Sequence, residues 1–153
     1  MKTKPTDIQA QFLNSIQQWL NLRQKMIVAF NELCLLKPFE IIKKPEIQTC
    51  VDNFCNELVD YLSFGQFKVF EQLSSIDALR TEDRKSIQAL WCKIFSTTVT
   101  AIEFSDLYTH NLCMATLQKD LSKLGVQLAH RLDWEDQILE ILYRTMDFNI
   151  SPS

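Results

Sequence analysis

An all-α fold, most simply an up-and-down four-helix bundle, is what this 153-residue sequence predicts, and three observations carry the expectation. Only two glycines and four prolines occur, far fewer turn formers than an antiparallel β protein of this size needs. Apolar residues return every three to four positions through four long segments. No stretch alternates apolar and polar residues with the period of a strand. With 46% hydrophobic and 23% charged residues, the chain suits one domain over 1–153, its ends 1–6 and 149–153 frayed.

The first helix is read from Ile8, Phe12, Ile16, Trp19, Met26, Ile27, Phe30 and Leu33 and stops before Lys37-Pro38, because proline disfavours helical geometry in the residue ahead of it. The second starts at Pro45, whose missing N–H costs nothing in a first turn. Ile47, Val51, Phe54, Cys55, Leu58 and Leu62 form its buried face; Asp52, Asn53, Asn56, Asp60 and Ser63 project from the other side. Gly65 offers a stop or a kink, and Phe67, Phe70, Leu73 and Ile76 continue the apolar set. "RTEDRKS" starts the third helix, with Thr81 as N-cap and acids in the first turn, and Ile87, Leu90, Trp91, Ile94, Phe95, Thr98 and Ile102 carry it to Tyr108. After a break at "YTHN", with Asn111 as a cap, Leu117, Leu121, Leu124, Leu128, Leu132, Leu139 and Leu142 line the last helix.

Composition narrows the function. A net charge of −3 argues against direct nucleic-acid binding, yet leaves room for a local acidic patch facing a basic partner. No apolar run is long enough to span a bilayer and the N-terminus lacks a signal-like stretch, so a cytoplasmic location without membrane association is expected. Five cysteines without a CxxC pair read as reduced core thiols.

Catalytic constellations are missing. A bundle di-iron centre needs Glu-x-x-His pairs, and neither His110 nor His130 has one; His110 with Cys113 supplies two ligands, too few for a metal site. There is no phosphate-cradling glycine loop and no nucleophile elbow. Neither enzyme activity nor a cofactor is expected.

Two polar residues stand on apolar stripes, Arg23 in the first helix and Glu135 in the last. First and last helices are neighbours in an up-and-down bundle, so the pair is expected as a buried structural ion pair. The alternative is a helical-bundle enzyme or small-ligand carrier built around the inward Arg23 and Glu135.

Three blocks, "WLNLRQKMIVAFNELCLLKP", "FCNELVDYLSFGQFKVFEQL" and "LGVQLAHRLDWEDQILEIL", resemble in order and spacing the Rsd/AlgQ family of bacterial anti-sigma factors, with Val59-Asp60-Tyr61-Leu62-Ser63, Gly65 and Phe67 as signature. The resemblance implies a cytoplasmic helical protein that binds the C-terminal helix-turn-helix domain of the housekeeping sigma factor and sequesters it in slowly growing or stationary cells. It implies no cofactor and no catalysis; a monomer or weak dimer is expected, the sequence itself not choosing between them. Carried over to this chain, Asp60, Ser63 and Gln66 are the expected contacts, Tyr61 and Phe67 shape the surface, and Phe64 adds an apolar anchor. The sequence departs from the pattern at "LLKPF", where a glycine is expected before Lys-Pro, at "IIKKPEIQTC", and at Gln66, where a histidine is familiar.

Overall fold

The computed structural model describes residues 5–109 and 111–150, with side chains from 7 to 145; His110 and the extreme ends lie outside the described residues. Among these residues all regular structure is helical. Four long helices, α1 (Pro5–Cys34), α2 (Lys44–Phe64), α4 (Thr81–Tyr108) and α5 (Met114–Ile150), are joined by short connections, with one short turn, α3 (Glu71–Leu73), between α2 and α4. At 1.5 Å per residue α5 is about 55 Å long.

α1 packs along α2, α2 along α4, and α4 along α5. α5 returns to α1 where Phe30 lies against Gly125 and Arg23 reaches Glu135 and Asp136. One core results, containing Phe12, Ile16 and Leu33 of α1, Val51, Phe54 and Leu58 of α2, Ile94 and Phe104 of α4, and Leu121, Ile138 and Leu142 of α5.

The boundaries follow local chemistry. α1 ends ahead of the Lys37–Pro38 peptide bond, which is cis, and a 3-10 turn at Phe39–Ile41 leads into α2, whose first turn holds Pro45. Thr81 is not the N-cap expected of it: Arg80, in extended geometry, occupies that place without a side-chain bond, and Thr81 is the first helical residue. Nor does Asn111 cap the last helix, because α5 starts at Met114 and the carbonyl of Cys113 accepts from the amides of Thr116 and Leu117.

Gly65 is where α2 ends and the helix changes pitch. It has right-handed helical geometry, and the chain runs on from α2 through a π-helical stretch, Gly65–Phe70, into α3. Tyr61, Gly65, Val69 and Leu73 are buried at a spacing of four, which fits turns wider than 3.6 residues. That widening rotates the expected apolar set: Val69 goes inside, Phe70 is half-buried, and Phe67 is 62% exposed. Where the run ends, Arg84 donates to the carbonyls of Leu73 at 3.2 Å and Ile76 at 2.7 Å.

Candidate partner-binding face

The glycine at 65 is needed for closeness. A Cβ there would stand 2.8 Å from Nε1 of Trp19, so only glycine lets the indole lie against the backbone at the start of the π stretch. Trp19 is fully buried and stacks on Tyr61, with ring centroids 6.5 Å apart and planes 6° from parallel. Tyr61 is thereby pinned from one side.

From the other side it enters a polar node. Its hydroxyl donates to Oε2 of Glu135, and Nε of Arg131 donates to the Tyr61 hydroxyl at 2.8 Å and to Glu135 Oε2 at 3.0 Å. Arg131 Nη1 reaches α4, donating to Thr98 Oγ1 at 2.8 Å, Thr97 Oγ1 at 3.2 Å and the Ile94 carbonyl at 3.3 Å. Its guanidinium also lies 5.1 Å from the centre of the Tyr61 ring. Burial drives the Tyr61 hydroxyl well above its ordinary pKa, with the Glu135 charge adding to the effect, so the phenol keeps its proton and donates it. Burial raises the carboxyl of Glu135 as well, against the pull of Arg131, the Tyr61 hydroxyl and Arg23. For Arg131 burial lowers the pKa, but Tyr61 and Glu135 more than reverse it.

Tyr61 is therefore not a surface residue, and its expected part in shaping the partner face is corrected: it is 0% exposed and bonded inward. Arg23 differs from Glu135 in depth. Its side chain is 16% exposed against 0%, it lies 3.4 Å from Glu135 Oε1, and its shorter bond, 2.7 Å, goes to the exposed Asp136. Glu135's nearer cation is Arg131, which the sequence reading overlooked. A signal for it exists. Positions 117, 121, 124, 128, 131, 135, 138 and 142 form an unbroken three-four spacing, all are buried, and Arg131 with Glu135 occupies its centre. Leu132, expected in that stripe, is only half-buried.

On the opposite side of α2 a face is left to solvent. Asn53, Asn56, Asp60 and Ser63 are exposed, and Phe67 continues them on the π stretch. Phe64, expected as an exposed anchor, is instead half-buried against the core. Gln66, also half-buried, lines a groove with Phe70, Glu71, Arg84 and Gln88. So Asp60, Ser63 and Phe67 share one surface, Phe64 and Gln66 flank it, and Tyr61 stands behind it.

Other polar groups have local partners. Asp52 accepts from Gln48 at 2.7 Å, and His130 stacks on Trp134 at 5.8 Å between centroids. Among the described residues no three His, Cys, Asp or Glu are grouped to hold a metal, and no helix is long and apolar enough to cross a membrane. His110 lies outside the described residues.

Comparison with known proteins finds relatives along most of the chain. Residues 4–143 match the family described as regulator of RNA polymerase sigma(70) subunit, Rsd/AlgQ. The chain is 31% identical over 134 residues to a regulator of sigma D from Pectobacterium carotovorum subsp. carotovorum, covering 84% of this chain and 87% of that one. It is 30% identical over 134 residues to the regulator of sigma D of Pectobacterium atrosepticum, with the same coverage, 84% and 87%. The Yersinia enterocolitica protein of that name is 28% identical over 131 residues, 82% of this chain and 78% of its own. No solved structure matches.

Proposed function

Because the chain belongs to the Rsd/AlgQ family of regulators of the RNA polymerase sigma(70) subunit, we propose that it is an anti-sigma factor whose α2 face holds the C-terminal, promoter-reading domain of the housekeeping sigma factor. It works in the cytoplasm as a monomer or weak dimer, and sequestration of free sigma is how it regulates transcription. The observation that carries the reading is the exposure of Asp60, Ser63 and Phe67 together on one helical surface. A domain that reads DNA is basic where it meets phosphate, so the exposed Asp60 carboxylate complements it, and the exposed Phe67 ring supplies an apolar anchor. Gln66 and Phe64 contact the partner at the edges; Tyr61 contributes by holding α2 in place. Arg23 and Glu135 serve as structural links between α1 and α5.

We read the four long helices as an up-and-down bundle in a single domain, a reading supported by the packing of each long helix on its chain neighbour and of α5 on α1. The ligand-carrier alternative around Arg23 and Glu135 draws no support from the geometry, since Asp136, Arg131 and Tyr61 already engage them.

Calorimetric titration of the protein with the isolated C-terminal domain of the housekeeping sigma factor, at low and high salt, tests the reading. Binding that weakens with salt and again on Asp60→Ala is expected. Absence of binding by the wild type at tens of micromolar overturns it.

A further inference from the structure

The geometry points to a second half of the docking surface on α4: the exposed apolar stripe Phe95, Val99 and Ile102 extends the α2 face and takes an apolar element of the same basic, DNA-reading partner. This rests on the reading of the α2 face as the sigma-binding surface.

The stripe departs from what periodicity expects. Phe95 and Ile102 belong to the apolar set of the third segment, yet they are 53% and 45% exposed, and Val99 between them is 53% exposed. The side of α4 turned inward instead carries Ile94, Thr97, Ala101, Phe104 and Tyr108. Spaced at i, i+4 and i+7, the three side chains form one ridge on the helix surface, unlike singly scattered exposed residues.

Contacts fix where that ridge lies. Gln48 of α2 donates to the carbonyls of Tyr108 and Thr109, Phe54 meets Phe104 at 5.9 Å between centroids, and Phe70 stacks on Trp91 at 4.7 Å. These contacts set α2 antiparallel to α4, with Val59 level with Val99 and Ile102, and Ser63 level with Phe95. Val59 follows Gln48, Asp52 and Cys55 along the row of α2 that faces α4, and it is 42% exposed. On α4 the facing row is Trp91, Phe95, Thr98, Ile102 and Ser105. The seam between the helices is thus edged by the exposed apolar side chains Val59, Phe95 and Ile102, beside Asp60 and Ser63 of α2.

Charge supports the occupant. Asp52, Glu103 and Asp106 border the patch toward one end, Asp60 lies beside its middle, and Lys68 and Lys85 border the other end. An apolar centre with a carboxylate border suits a helix that is apolar on one side and basic on its flank.

The test uses the full chain and purified housekeeping sigma factor. Phe95→Ser with Val99→Ser is compared with Asp60→Ala and wild type, each first shown by thermal unfolding to be folded. Cys92, exposed one turn before Phe95, is alkylated with iodoacetamide in the free and bound protein, with the exposed Cys113 beyond the other end of α4 as internal control. The expected result is at least about tenfold weaker binding of the double variant, and protection of Cys92 but not Cys113. If Asp60→Ala weakens binding while the double variant binds like wild type and Cys92 stays reactive, the α4 inference falls and the α2 reading stands. If wild type does not bind, both fall. If Cys92 is protected in the free protein as its concentration rises, the stripe joins two copies of the chain and the inference is overturned.

Discussion

Asp60 and Tyr61 are consecutive residues with opposite surroundings, and so are the two regions they belong to. The outer face of α2 presents its polar groups to water, where each costs little and is free to meet a partner. The node around Glu135 has lost that water, so every polar atom in it must be answered from within: by Tyr61, Arg131, Arg23 and the hydroxyls of Thr97 and Thr98. Polarity on one side of α2 is offered outward. On the other it ties α2, α4 and α5 together, and α1 through Arg23.

Substitutions can separate the two regions, and the largest effect belongs inside. Arg131→Ala strips the buried carboxylate of its main cation and leaves two α4 hydroxyls without their donor. A loss of about 3–5 kcal/mol in urea-monitored stability is expected, and a loss below 1 kcal/mol would show that the node is not coupled as described. Gly65→Ala comes next. The added methyl meets Trp19 Nε1 at 2.8 Å, and displacing a packed indole costs about 1–3 kcal/mol by the same measurement.

Acidity sharpens the contrast further. The folded pKa of Glu135 is raised above its ordinary 4.5, chiefly by burial, so the native state binds this proton more tightly than the unfolded chain. Its contribution is fully present below that ordinary value and is lost as pH rises through the raised one. Wild type should therefore lose stability relative to Glu135→Gln as pH rises above about 4.5, followed by paired urea titrations; a constant difference would contradict it. The smallest effect on folding belongs outside: Asp60→Ala should leave stability within about 0.5 kcal/mol of wild type while weakening the complex. A larger loss of stability would mean that the outer face is also structural.

Much of the helical framework was legible beforehand, for identifiable reasons. Pro38 and Pro45 mark the connection between α1 and α2, and the buried rows Ile47 to Leu62 and Leu117 to Leu128 keep a period near 3.6. Periodicity failed where the backbone changed its pitch: a π-helical turn moved Val69 inward and Phe67 outward, and nothing in apolar spacing announces such a turn. It failed again on α4, where polar Thr97 takes a core position because it receives Arg131 while Phe95 goes outside. Hydrophobicity alone ranks those residues in reverse. Asp60, Tyr61, Ser63 and Phe67 were all legible as signature residues, but the burial of Tyr61 was not, because a tyrosine beside an aspartate reads as surface until Trp19 and Arg131 are seen closing over it.

The indole of Trp19 also has a use outside energetics. Its N–H finds no acceptor among the described residues and its ring sees only buried neighbours, whereas Trp134 is half-exposed beside His130 and Lys93. The chain therefore carries three tryptophans in two settings: Trp19 and Trp91, blue emitters buried in the core, and Trp134, a redder one on the rim of α5. A spectrum that keeps its blue component while the red one moves reports an event at the surface of α5 in a molecule whose interior is intact, without any label attached.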